Sequence, residues 1–379
     1  MLDTFVTRRS AHLDVIRGAA ILAVVAVHTF QFNFALFNGS GILETDRTFV
    51  FTSYLRFGVE LFFALSGWLI FSIYRSRSGE RSLQYLAKRA ARIWPLWIVF
   101  SLLSFLSLVL FWTTTPVESR FSADSWYLWI LALILVILFL GWLSPGLWNI
   151  PPGGWSIQVE IGHYALFWLM RKFRDVTFLL SILVGYASYF IAVELSARLP
   201  ESALATLVDG WLRLGLYGTW PFFVAGGLAL IWSRIYQGVQ EDLRSVSTRW
   251  ILIRASLVML VLAIAWYIPI PFGMSYEAIM ACIVLLAFSW IASKWVKSRN
   301  AGALIGRYSY FVYFAHFWIL TLIAGPIVGA IEQLGPGSIL YYWVSYLVLL
   351  LITLALSVLI AVPSWKFFES YWIRMSHRV

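Results

Sequence analysis

Arg17 and His28 stand eleven residues apart in a segment that is otherwise almost wholly apolar, Leu13-Asp14-Val15-Ile16-Arg17-Gly18 through Ala26-Val27-His28. At about 100° per residue this offset returns to nearly the same helix face, and at 1.5 Å rise it spans roughly 16 Å. One helix face therefore carries a cation near one end and an imidazole deep inside. Ionisable groups in lipid are costly, which makes them functional candidates. A neutral imidazole takes a proton near pH 7, so His28 is a candidate general base, or a nucleophile that carries an acyl group itself. The competing reading is a packing histidine bonded to a backbone carbonyl.

Four further groups have comparable character. Glu60 lies in Gly58-Val59-Glu60-Leu61-Phe62-Phe63. Hydropathy puts it at about the depth of His28, where a carboxylate would fix the tautomer of the imidazole and raise its basicity; a structural acid is the alternative. The nearby Ser66-Gly67 reads as a close-packing site. Arg89 and Arg92 are three apart at the start of an apolar run, so two guanidinium forks project from one face and can grip phosphates. Basic residues at a span's end also merely orient a membrane protein. Trp155, Gln158 and Glu160 follow a Pro/Gly-rich stretch and are candidates for an acceptor site, although Trp155 also suits an interfacial anchor. Ser309, Tyr313 and His316 share a face at i, i+4 and i+7, either as a polar stripe on the same cavity or as bonds between helices. No Walker, Rossmann, zinc or EF-hand pattern occurs, and the histidines are too scattered for a metal site.

The elements that must position these groups are membrane helices. The chain has 379 residues, 61% hydrophobic and 12% charged, with a mean hydropathy of +0.81. A soluble domain is nearer half apolar and a quarter charged. Apolar runs predict spans near 13–37, 50–74, 91–112, 154–171, 176–194, 214–236, 251–270, 275–294, 303–331 and 339–368. The net charge of +10 follows from basic loops rather than from nucleic acid. The one cysteine, Cys282, allows no intramolecular disulfide. Ten spans put all the Lys/Arg clusters, from Arg8 and Arg9 to Lys366, Arg374 and Arg378, on the cytoplasmic side together with both termini. An eleventh apolar stretch, about 126–143, would invert everything after it. With 144–154 it is therefore expected to be re-entrant or irregular, shielded by protein or a cavity. The fold class expected is an all-α polytopic membrane bundle of about ten transmembrane helices plus that segment. Residues 1–379 are expected to form one integral-membrane domain with no appended soluble domain.

Taken in order, the five groups resemble the membrane acyltransferase family 3, bacterial integral-membrane O-acyltransferases that modify cell-surface carbohydrates. Leu13, Asp14, Arg17, Gly18 and His28 are similar to its Leu-Asp-x-x-Arg-Gly…His start. Gly58 through Gly67 resembles its Gly-Val-Asp-Leu-Phe-Phe-Val-Leu-Ser-Gly segment, with Glu60 for the usual Asp. Arg89, Arg92 and Pro95 match its Arg-x-x-Arg element, Trp155 through Tyr164 its Trp-Ser-Leu-x-x-Glu-x-x-x-Tyr, and Ser309 through His316 its Ser-Tyr-x-x-Tyr-x-x-His. Ile161 replaces the second acid that commonly follows the Trp-Ser-Leu element.

The resemblance implies transfer of an acyl group, acetyl foremost, from cytoplasmic acyl-CoA to a hydroxyl of an extracytoplasmic or lipid-linked carbohydrate, in the inner (cytoplasmic) membrane. Arg17, Arg89 and Arg92 would hold the CoA phosphates. His28 would act on the acceptor hydroxyl, with Glu60 orienting it. Trp155, Gln158, Glu160, Tyr313 and His316 would place the substrate. No metal and no nucleic acid are expected. The alternative is a transporter of a lipid-linked sugar or organic anion along a buried Arg/His/Glu path, which lacks the support of inverted repeats or paired broken helices.

Overall fold

The computed structural model describes residues 11–37, 58–71, 79–110, 126–141, 150–170, 301–335 and 338–376, with short pieces between 191 and 227. Every regular element among them is helical. These are α1 (Ala11–Leu36), α2 (Gly58–Phe71), α3 (Gly79–Leu110), α4 (Trp126–Ile137), α5 (Trp155–Met170), α6 (Ala301–Arg307), α7 (Ser309–Glu332) and α8 (Ile339–Ser364). A π-helical turn, Trp365–Glu369, then leads into α9 (Ser370–Ser376). Four stretches among the described residues are long and apolar enough to cross a membrane: Leu13–Leu36, Arg89–Ser107, Ser309–Glu332 and Ile339–Met375. They coincide with expected spans 13–37, 91–112, 303–331 and 339–368. The expected spans at 251–270 and 275–294, and nearly all of 176–194 and 214–236, lie outside the described residues, as do most of the basic clusters that carried the topology.

α1 is the central helix. It packs against α6, α7 and α8, while α3 lies against α4, α7 and α9. Its Ile21, Val24 and Val25 are fully buried and join Ile93 and Trp97 of α3 and the Tyr310–Ala315 stretch of α7 in one apolar core. The outer faces are apolar as well: Leu102 and Leu106 of α3, Leu322 of α7, and Leu351 and Leu359 of α8 are exposed. Lipid is the solvent such faces require, and the chain is a multi-pass membrane protein. In lipid, helices associate by close packing rather than by the hydrophobic effect, so small residues set their register. Gly58 does this for α2. A Cβ there would meet the Ala20 carbonyl, the Val24 side chain at 3.0 Å and Ala23 at 3.1 Å.

The described parts of the 126–154 stretch, 126–141 and 150–154, meet at Trp97. α4 is 12 residues long, roughly 18 Å, against a hydrocarbon core of about 30 Å. A helix that stops at membrane depth leaves carbonyls without partners. Indoles help to supply them: Trp94 Nε1 donates to the Ile137 carbonyl at 3.1 Å, and Trp97 Nε1 at 2.7 Å joins the Phe139 N–H at 2.9 Å on the Val136 carbonyl. Phe139 then takes a left-handed conformation, φ 59°, and its ring stacks on Trp97 at 5.0 Å. The chain is described again from Ile150, and Gly154 packs against the same indole. Ile150, Pro151, Gly153 and Gly154 are buried, and their backbone is served from within: Gly154 N–H donates to the Pro151 carbonyl at 2.7 Å and the Gln158 side-chain amide to the Ile150 carbonyl at 3.3 Å.

A prediction follows from this anchoring. Trp97→Phe keeps an aromatic ring and removes one of the two donors to the Val136 carbonyl, leaving the Phe139 N–H, at a cost of about 0.5–1.5 kcal/mol. Its thermal unfolding midpoint in detergent should fall below that of Trp94→Phe, whose indole is exposed. Equal midpoints would show that Trp97 only fills space.

Candidate active site

His28 and His316 meet across the α1–α7 interface, with His28 Nδ1 and His316 Nε2 2.9 Å apart. The protons can be assigned from the network. His316 Nδ1 lies 3.0 Å from the Val312 carbonyl, and a carbonyl only accepts, so Nδ1 carries the hydrogen. In the neutral ring His316 Nε2 is then an acceptor, and His28 Nδ1–H must donate to it. The lone pair of neutral His28 therefore sits on Nε2. His316 is fully buried, whereas His28 is half-buried. Phe317 packs against both rings, its centroid 4.3 Å from that of His28 and 4.6 Å from that of His316.

Below this pair α7 presents Tyr313 and Tyr310, each about one turn nearer the helix start. Tyr313 donates its O–H to the Gly153 carbonyl at 2.6 Å and accepts from Ser156 Oγ at 2.5 Å. Gly153 has φ +74° and a Cβ there would run into the Phe317 ring, so a side chain at 153 would disturb the residue that covers His28. Tyr310 receives a long hydrogen bond, 3.5 Å, from Arg89 Nη1. The α7 stripe thus joins the imidazole pair to the start of α5 and then to α3.

The three arginines gather at the Tyr310 end. Arg17 is paired with Asp14 at 2.6 Å, both buried. Arg92 donates to the Arg307 carbonyl at 3.3 Å, and its guanidinium lies 4.9 Å from the Tyr310 ring centroid and 5.9 Å from that of Trp365. Arg17 and Arg89 are both within electrostatic reach of Arg92. Its buried Nε has no hydrogen-bond partner among the described residues. The Arg307 carbonyl, the Tyr310 and Trp365 rings and the carboxylates of Asp14 and Glu369 surround this cluster, and guanidinium forks of this kind can grip a phosphate.

Glu60 occupies a different depth from the one hydropathy suggested. Gly58 touches Ala20, Ala23 and Val24, one to two turns from His28 on the arginine side, and Glu60 is two residues further in that direction. The contact at His28 Nδ1 is supplied by His316. Glu160 lies on the arginine side too. Its Oε1 accepts the O–H groups of Ser66 and Tyr164, and with Val59, Phe62, Ser156, Ser309 and Tyr313 it lines a narrow cavity of ≈ 20 Å³. Gln158 is fully buried and binds the Ile150 carbonyl, so it braces the irregular turn. Trp155 is half-buried against Phe63, centroids 6.1 Å apart.

Four residues given no role from sequence complete the site: Gly153 and Phe317, and Ser156 and Tyr164, which the sequence offered only as members of the Trp-Ser-Leu-x-x-Glu-x-x-x-Tyr element. Ser156 had a visible signal, its place between Trp155 and Gln158. Phe317 had none, being one apolar residue among many. His163, fully buried on α5, bonds Thr219 Oγ1 at 2.8 Å between Trp220 and Phe223 and takes no part in the site.

No curated protein and no solved structure shows a significant match to this chain. One family does: its model, described as an acyltransferase domain, matches residues 10–362. That match covers almost the entire chain, including all five groups of residues at the helix interfaces just described, and the protein belongs to the acyltransferase 3 family.

Proposed function

We propose that this membrane acyltransferase moves an acyl group, acetyl foremost, from acyl-CoA on the cytoplasmic side to a hydroxyl of an extracytoplasmic or lipid-linked carbohydrate. The single observation that carries the reading is the His28–His316 hydrogen bond, which leaves the basic nitrogen of His28 in a defined tautomer. His28 Nε2 takes the proton of the acceptor hydroxyl as its oxygen attacks the thioester carbonyl. Collapse of the tetrahedral intermediate breaks the C–S bond, and the imidazolium returns the proton to the departing thiolate, so acyl ester and free thiol are the products. His316 accepts from Nδ1–H throughout and stabilises the imidazolium.

The donor's negative end belongs with Arg17, Arg89 and Arg92. The offset from Arg17 to His28, roughly 16 Å along α1, is a length that the pantetheine arm of CoA can span. The acceptor approaches from the opposite end, over Phe317 and the Gly153–Trp155 turn. The charge pattern of the sequence supports an inner-membrane location with the arginine cluster cytoplasmic. The transport reading rested on the same buried Arg, His and Glu side chains, and membership of an acyltransferase family removes the reason to prefer it.

The test uses cells producing the chain and the purified protein in detergent. His28→Ala should abolish O-acetylation of surface glycans by mass spectrometry while acetyl-CoA still binds; retained acetylation would remove His28 from the chemistry. Arg89→Ala with Arg92→Ala should raise the Kd for acetyl-CoA by about tenfold or more, the size of one or two charge-assisted hydrogen bonds. An unchanged Kd would refute the assignment of the donor end.

A further inference from the structure

The cavity between α2, α5 and α7 contains a polar group that the mechanism leaves unused. Ser309 is 1% exposed, and its Oγ has no hydrogen-bond partner among the described residues. A buried hydroxyl without a partner is uncommon in native structures and asks for an explanation. Across the same cavity stands Glu160, whose carboxylate is held by Ser66 and Tyr164. The rest of the wall is the apolar Val59, Phe62, Phe63 and Ile157, the Tyr310 side chain, and Ser156 and Tyr313, whose hydroxyls bond each other and the Gly153 carbonyl. One side of this space can donate a hydrogen bond, the other only accepts, and the walls suit methylene groups. A secondary amide between short alkyl segments has the matching chemistry, with its carbonyl toward Ser309 Oγ–H and its N–H toward Glu160.

The position fits as well. Tyr310, which receives the Arg89 hydrogen bond, and Tyr313, next to His316, both line the cavity. The space therefore lies between the arginine cluster and the imidazole pair. Ser309 is seven residues before His316, roughly 10 Å along α7. In pantetheine the distal amide nitrogen is seven bonds from the sulfur, roughly 9 Å when extended.

We propose that Ser309 and Glu160 form a subsite for the distal amide of the pantetheine arm, placing Glu160 on the donor side of His28 rather than with the acceptor. This rests on the acyl-CoA reading above. At ≈ 20 Å³ the cavity admits about one water, so seating the arm must part Phe62 from Tyr313, whose rings are 6.2 Å apart.

The experiment compares S-acetylpantetheine with its analogue carrying an ester oxygen in place of the distal amide nitrogen. Each competes with labelled acetyl-CoA for the purified full chain. The ester lacks the N–H and turns a lone pair toward Glu160. The unsubstituted protein should prefer the amide by roughly tenfold or more, the worth of one charge-assisted hydrogen bond. Glu160→Gln should reduce that preference to a few-fold, because a neutral acceptor replaces the charge. Ser309→Ala, which removes one atom and should leave folding intact, should weaken both competitors several-fold while leaving adenosine 3′,5′-bisphosphate competition unchanged. Equal binding of amide and ester to the unsubstituted protein, or a preference that survives Glu160→Gln, would overturn the subsite. So would undiminished binding of both competitors to Ser309→Ala. Failure of acetyl-CoA itself to bind the unsubstituted protein would instead overturn the donor reading on which the subsite rests.

Discussion

The hydrogen bond between His28 and His316 is the interaction on which the rest of the site depends. Two imidazoles facing each other would leave the position of their protons undetermined. The Val312 carbonyl decides it, because it accepts from His316 Nδ1 and so makes Nε2 the acceptor for His28. The backbone of α7 thereby sets the tautomer of a side chain on α1. Triads in which a carboxylate orients histidine use the same logic with a different third group. A neutral partner avoids placing an anion in lipid, where charge is costly.

The second constraint is the bilayer's demand that backbone groups be satisfied from within the protein. The end of α4 and the Ile150–Gly154 turn before α5 meet it with two indoles, a buried glutamine and the Tyr313 hydroxyl. The same bonds make the site. Tyr313 holds the Gly153 carbonyl, Gly153 leaves room for Phe317, and Phe317 lies against His28. Interrupting the helical run places backbone and polar side chains near the imidazole at a depth that a continuous apolar span could not supply.

Much of this was legible in the sequence, and the residues show where legibility ended. The shared face of Arg17 and His28 follows from helix period alone, and so does the projection of Arg89 and Arg92 from one side of α3. Charge asymmetry argued for an irregular path over 126–154; of that stretch the described residues show a 12-residue helix ending at Ile137 and a buried turn from Ile150 to Gly154. Partners across helices were not legible. His28 meets a residue 288 positions away, and Glu160 meets Ser66 at a separation of 94. Such pairs depend on rotation and depth of packing, which hydropathy does not encode. Glu60 illustrates this. Its distance from the end of an apolar run suggested the level of His28, but the close approach of Gly58 to Ala20 sets α2 in a different register and carries Glu60 toward the arginines. Of the Ser66-Gly67 pair read as a close-packing site, Gly67 is the residue pressed against the Phe223 backbone, while Ser66 bonds Glu160, a role that no local pattern announced.

The claim that His316 governs the chemistry of His28 is tested most directly by His316→Leu, which keeps an apolar side chain under Phe317 and removes the acceptor. Two quantities would be measured: the rate of labelled acetyl transfer from acetyl-CoA to the envelope fraction of the producing cells, and the Kd of the purified protein for acetyl-CoA. The rate should fall by about 100-fold or more, while the Kd stays within about twofold because the arginine cluster lies well away along α7. A variant that binds acetyl-CoA normally and transfers acetyl at the full rate would contradict the account.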